Sequence, residues 1–168
     1  MELPVVNHKD YFAKIGDDHK FPINKFGDLA DYLINNKIVK KFHEPYPCSV
    51  ETLKRAHSIE YINNIKNKTL DKIGIKKIGF PLVDSVVKRS FIATGGTVLA
   101  SKLAINNGLA CNTAGGSHHA NYYGGAGYCV FNDVAVAAQY LLDRGLAGKI
   151  LIVDLDVHQG NGNSDIFK

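Results

Sequence analysis

The chain has 168 residues, 45% of them hydrophobic and 21% charged, with a formal net charge of +4. One domain with a sizeable core is the expectation, and the composition excludes an intrinsically disordered chain. No apolar run approaches the ~20 residues of a membrane span, no basic-then-apolar leader opens the chain, and the mild positive charge does not make a nucleic-acid surface.

In chain order, turn signals at Gly16-Asp17-Asp18, Phe21-Pro22 and Pro45-Tyr46-Pro47 bracket a helical apolar spacing over Phe26 to Ile38. Ser49 caps a short helix running to His57, and Ser58 a second one through Ile65. Lys66 to Phe80 reads as a connection bearing Lys and Gly, its lysines forming a solvated face. Pro81 to Asn107 reads as a long helix with Pro at its start and Gly108 as its stop. Gly95-Gly96 inside it costs roughly 1 kcal/mol of helix propensity per glycine, so a close backbone contact is expected there. Leu109 to Thr113 reads as a strand, Ala114 to Tyr128 as a glycine-rich loop, and Asn132 to Asp143 as a helix stopped by Gly145. Lys149 to Asp154 is expected to be a strand buried on both faces, because Ile150-Leu151-Ile152-Val153 is a continuous aliphatic run. Helices alternating with strands imply an α/β fold with a parallel sheet and helices on both its faces.

Chemistry gathers where the last two strands end, the usual place for a site in such a sheet. Gly115-Gly116-Ser117-His118-His119 follows the first, and Asp154-Leu155-Asp156-Val157-His158 ends the second. Asp156 and His158 lie two apart, so on extended backbone they share a side and suit a divalent first-row metal such as zinc. Taken alone, the tripeptide reads more readily as a loop cap, since catalytic zinc takes three protein ligands; the histidine pair nearby reverses that. Asp154 is placed to bond an imidazole, fix its tautomer and favour its charged form. Gly124-Gly125-Ala126-Gly127 lacks the Gly-Lys-Ser/Thr ending of a phosphate loop and reads as backbone that approaches a narrow ligand. Tyr128 either lines that channel or packs in the core. Cys48, Cys111 and Cys129 show no pairing pattern, which fits a reducing cytoplasmic compartment, and Cys129 reads as a packed thiol.

Three segments carry a resemblance: Gly115-Gly116-Ser117-His118-His119-Ala120, Gly127-Tyr128-Cys129-Val130-Phe131-Asn132-Asp133, and Asp154-Leu155-Asp156-Val157-His158-Gln159-Gly160-Asn161-Gly162. In order and spacing they resemble the histone deacetylase superfamily, most closely its bacterial branch near the class IV deacetylases. Fainter matches lie at Thr94-Gly95-Gly96-Thr97, His19-Lys20-Phe21-Pro22 and Ala56-His57-Ser58-Ile59-Glu60-Tyr61. The resemblance implies one deacetylase-like domain over residues 1–168, the first half of an arginase/deacetylase fold, truncated at its C-terminus. It implies a metal-dependent amidohydrolase that removes acetyl groups from acyl-lysine or a small acyl-amine. Asp156 and His158 are then zinc ligands, and His118 and His119 handle protons. Asp154 partners His118 and also matches a ligand of the family's structural potassium. Gly127 and Tyr128 match the wall of the substrate channel, and Asn161 the partner of the second histidine, where many members carry an aspartate and others, class IV among them, an asparagine. The family's third metal ligand and oxyanion tyrosine match no residue here, so the alternative is an inactive remnant or a weak metal or acyl-amine binder. Self-association through the cut sheet is expected in either case. Lysine's predominance over arginine suggests an A+T-rich, bacterial genome.

Overall fold

The computed structural model describes residues 3–168. Its sheet is small. Strand β1 (Val5–Val6) runs parallel to β2 (Cys111–Asn112), with Val5 opposite Cys111 and Val6 opposite Asn112. His43 extends the pairing on the far side of β1, its N–H donating to the Val5 carbonyl (2.9 Å). A 3-10 turn follows at Lys9–Tyr11.

The helices are α1 (Lys25–Asn35), α2 (Val50–Leu53), α3 (Ile59–Asn67), α4 (Lys72–Ile78), α5 (Asp84–Asn107), α6 (Asp133–Asp143) and α7 (Asn161–Ile166). Ser49, Ser58 and Asn132 act as N-caps of α2, α3 and α6, each side chain accepting the N–H three residues on. α2 stops at Leu53, short of His57, and continues as turns. Two helices, α4 and α7, were not expected. α4 forms inside the presumed connection because Asp71 caps it and Gly79, at φ +81°, ends it. α5 begins at Asp84 rather than at Pro81.

α5 is the central element. It packs against α6, the 3-10 turn and both strands. Its buried residues mix Val86, Arg89 and Ile92 with small and hydroxylated ones, and Ser90 and Thr94 satisfy their hydroxyls on the carbonyls four residues back. The expected close approach at the glycine pair is present. A methyl group on Gly95 would lie 2.1 Å from the Tyr46 carbonyl oxygen, and one on Gly96 would lie 2.0 Å from the Tyr11 hydroxyl and 3.0 Å from the Asn112 side chain. The core around α5 includes Tyr11, Leu53, Ile62, Ile65, Ile78, Val86, Phe131 and Val136.

The expected strand at Lys149–Asp154 is not one. Its residues adopt no regular structure, and among the described residues 147–158 make no backbone–backbone hydrogen bond. Leu151 is 84% exposed, and Val153, Leu155 and Val157 are also exposed. Aliphatic residues on both faces favour a strand only where neighbouring strands complete the ladder. No described segment lies alongside to do so.

Candidate active site

The loop between β2 and α6 carries the histidine pair. Gly115 (φ +105°) and Gly116 (φ +73°) turn consecutive backbone N–H groups inward, a concavity suited to an anion. The anion is the buried carboxylate of Asp133, the first residue of α6. It accepts the N–H of Gly116 (3.1 Å), the N–H of Ser117 (2.8 Å) and the hydroxyl of Thr97 from α5. A methyl group on Gly115 would lie 2.3 Å from Asp133 Oδ2, so the glycine is required twice, by its φ and by the carboxylate.

His118 is buried and His119 half-buried, with ring centroids 4.2 Å apart. Each has its Nδ1 held by a different oxygen. His118 Nδ1 lies 2.6 Å from Asp154 Oδ2, and His119 Nδ1 lies 2.7 Å from Asn161 Oδ1. The hydrogen bond from His118, then the N–H of Asp156, hold the Asp154 carboxyl below the usual carboxylate range. Both Nε2 atoms are free of hydrogen bonds among the described residues.

Asp156 and His158 follow on the exposed segment. The Asp156 carboxylate accepts the backbone N–H of His158 (2.8 Å) and lies 2.9 Å from His158 Nδ1. Those contacts, the backbone one first, lower its pKa. The His158 ring stands edge-on to His119, centroids 5.9 Å apart. A carboxylate and an imidazole nitrogen facing each other suit a divalent cation. Among the described residues no cluster of three or more His, Cys, Asp or Glu donors converges, so Asp156 and His158 are two donors where a catalytic zinc takes three protein ligands.

These groups open on one cavity of about 940 Å³, lined by His118, His119, Gly127, Tyr128, Asp156 and His158 among others. Gly127 and Tyr128 form its wall at φ +53° and +66°, and a methyl group on Gly127 would lie 2.6 Å from the His119 ring. The backbone N–H groups of Gly127 and Tyr128 donate to the carbonyls of Lys77 (3.0 Å) and Ile78 (2.7 Å), so α4 buttresses the wall. Tyr128 lines the cavity and also packs against His19, Phe21 and Phe80. Cys129 is the packed thiol expected, with burial pushing its pKa up to about 11.

Sequence reasoning missed several contributors. Phe21, Phe26 and Arg89 line the cavity, and Arg89 lies over the Phe26 ring while its Nε donates to the Tyr11 carbonyl (2.8 Å). His57, fully buried, accepts the N–H of Asn132 at Nε2 (2.8 Å), so Nδ1 carries the proton and donates to the Asn121 carbonyl (2.9 Å). In the sequence that position was marked by the Ser58 helix start beside it and by the fainter family match over Ala56-His57-Ser58-Ile59-Glu60-Tyr61, neither of which shows its burial or partners.

The fold is that of histone deacetylase structures. An HDAC homologue from Aquifex aeolicus superposes with a TM-score of 0.81 at 25% identity, over 99% of this chain and 48% of that one. An HDAC homologue crystallised with SAHA superposes with 0.82 at 24% identity and the same coverage. The chain belongs to the histone deacetylase family, whose domain model matches residues 19–168. It is 42% identical over its full length to an uncharacterized protein of Picosynechococcus, of which it covers 57%. It is 35% identical over 160 residues to histone deacetylase 2 of Arabidopsis thaliana, of which it covers 41%. The chain thus spans about half the length of the relatives it matches.

Proposed function

We propose that this chain supplies the histidine-pair half of the active site of a zinc-dependent deacetylase acting on acyl-lysine or a related small acyl-amine. The observation that carries the reading is the pairing of two adjacent imidazoles. Each is oriented through Nδ1 by its own oxygen partner and leaves Nε2 at the cavity that Asp156 and His158 also line.

Asp156 and His158 are the residues that would hold zinc. Bound there, the metal would polarise the substrate carbonyl and lower the pKa of a water ligand toward ~7. His119 Nε2 takes a proton from the attacking water and returns it to the leaving amine. His118 is backed by the Asp154 carboxylate, whereas the neutral Asn161 amide orients His119. Gly127 and Tyr128 admit the slender acyl-amine and exclude bulkier groups. Asp154 would also take a potassium ion, as the family resemblance implies. A cytoplasmic setting is part of the reading.

Two experiments test it. Zinc calorimetry on the chain is expected to give a weak site that Asp156→Ala and His158→Ala each abolish; an isotherm unchanged in both variants overturns the assignment. With an acetyl-lysine reporter the chain alone is expected to show no turnover, since loss of a single oxyanion donor costs roughly 10²–10³ in rate. Co-expression with the remaining part of the Picosynechococcus relative is expected to restore turnover that His119→Ala removes. A second reading, metal or acyl-amine binding without turnover, is favoured by the two-donor set at Asp156 and His158. It predicts binding in both preparations and catalysis in neither.

A further inference from the structure

The two histidines sit between two clamps, and both clamps come from adjacent residues at the start of α6. Upstream, the Asp133 carboxylate takes the N–H groups of Gly116 and Ser117. Downstream, the Asn132 amide donates to the carbonyl of Ala120 (3.0 Å). The loop is thus gripped on the two residues before His118 and on the residue after His119. The same Asn132 amide donates to Asn163 Oδ1 (2.8 Å) in α7, the helix whose first residue, Asn161, holds His119. Asn163 in turn donates its N–H to the His118 carbonyl (3.2 Å), and Gly162 sits so close that a methyl group there would lie 2.3 Å from the Ala120 carbonyl oxygen.

Helix capping alone does not require these contacts. The Asn132 oxygen caps α6 by accepting the N–H of Ala135 (2.9 Å), a task serine performs as well. Its amide hydrogens, which serine lacks, go to the histidine loop and α7. A carboxylate on the first residue favours the helix dipole without having to reach a loop 16 and 17 residues away in sequence. Among the described residues the buried Asp133 carboxylate accepts only from that loop and from Thr97.

We propose that Asn132 and Asp133 are positioning residues for the histidine pair: they set the spacing and ring orientation of His118 and His119 and couple them to α7 and its Asn161. The inference rests on the reading of the pair as proton carriers only for its catalytic meaning; the mechanical claim stands apart from it. With the clamps in place, each ring meets its partner through Nδ1, and each is a single Nδ1–H tautomer when neutral. His19 is the internal reference. Its Nδ1 accepts the N–H of Phe21 (3.1 Å) and its Nε2 donates to the Gly79 carbonyl (2.9 Å), which makes it the opposite tautomer, away from either clamp.

The test is long-range proton–nitrogen NMR of the histidine rings in the full chain at a pH where all are neutral. Asn132→Ser keeps the α6 cap and deletes the amide donors. Asp133→Asn keeps the size and turns an N–H₂ toward backbone donors. Both variants are expected to move His118 and His119 from single Nδ1–H signals to averaged tautomers, with His19 unchanged. A role confined to stability predicts the reverse, a lower melting temperature with both tautomers intact, and that outcome overturns the proposal. Should Asp133→Asn fail to fold, Asn132→Ser alone decides it. Averaged tautomers together with failed zinc binding would leave the clamp standing and remove the deacetylase reading; intact tautomers with zinc binding would do the opposite.

Discussion

His118 Nδ1 lies 2.6 Å from Asp154 Oδ2, and that contact joins the histidine loop to a segment that, among the described residues, has no backbone pairing. A hydrogen bond of this kind contributes about 1 kcal/mol net, and its partial exposure argues against more. Asp154→Ala is expected to speed limited proteolysis within residues 147–158 by about fivefold, the equivalent of that energy. Asp156→Ala, which removes no bond to His118, is expected to leave the rate near that of the parent; equal rates in all three proteins would show that the contact does not hold the segment.

Two glycine-to-alanine substitutions are expected to act with opposite signs. Gly27 lies on α1 with nothing within 4 Å of an added methyl group, so Gly27→Ala gains helix propensity, about 1 kcal/mol of stability. Gly95 on α5 offers the same propensity gain, but its methyl group would lie 2.1 Å from the Tyr46 carbonyl oxygen. Overpacking against backbone costs about 1–3 kcal/mol or more, so Gly95→Ala is expected to lower the melting temperature. Urea denaturation of both variants checks the signs.

His57 makes stability depend on pH. Burial lowers its pKa from 6.5 to about 4, so the folded state keeps it neutral while the unfolded chain takes up a proton. More protons bound in the unfolded state means that stability rises with pH; the contribution is complete above pH 6.5 and is lost as pH falls toward about 4. Between pH 7 and pH 5 the loss is about 2 kcal/mol. Urea denaturation at the two pH values is expected to show it in the parent and a smaller difference in His57→Gln. The lowered carboxyl groups of Asp154 and Asp156 act in a more acidic window and do not confuse the comparison.

The aliphatic run at 150–157 carries a prediction about association. Leu151, Val153, Leu155 and Val157 are exposed on a segment whose backbone groups are unpaired among the described residues, a template for pairing with another strand. The chain is expected to elute above monomer size, and Val153→Lys with Leu155→Lys is expected to shift it toward monomer. A concentration-independent monomer in the parent would exclude pairing through this segment.

The helices were largely legible because their signals are local. Ser49, Ser58 and Asn132 marked starts that the structure confirms, and the Gly95-Gly96 pair signalled a close contact that Tyr46 and Tyr11 provide. α4 was missed because Gly74 and the surrounding lysines obscured its period, although Asp71 and Gly79 are an ordinary cap and stop. α7 was missed because Gly160-Asn161-Gly162-Asn163 reads as a turn; packing on the Ala120 and His118 carbonyls makes it a helix.

By itself the sequence determined the motif residues: the histidine pair, the Asp-x-Asp-x-His run, the Gly127-Tyr128 wall and the family they define. Residue type and short spacing carry that information, and both are local. Tertiary structure alone decided which oxygen each histidine faces, that Asn132 and Asp133 grip the loop between them, and that His57 is neutral. Each depends on contacts across 12 to 75 residues of chain, which no local pattern encodes. Tertiary structure also decided that Ile150–Val153 is no strand, because a strand exists only through its neighbours.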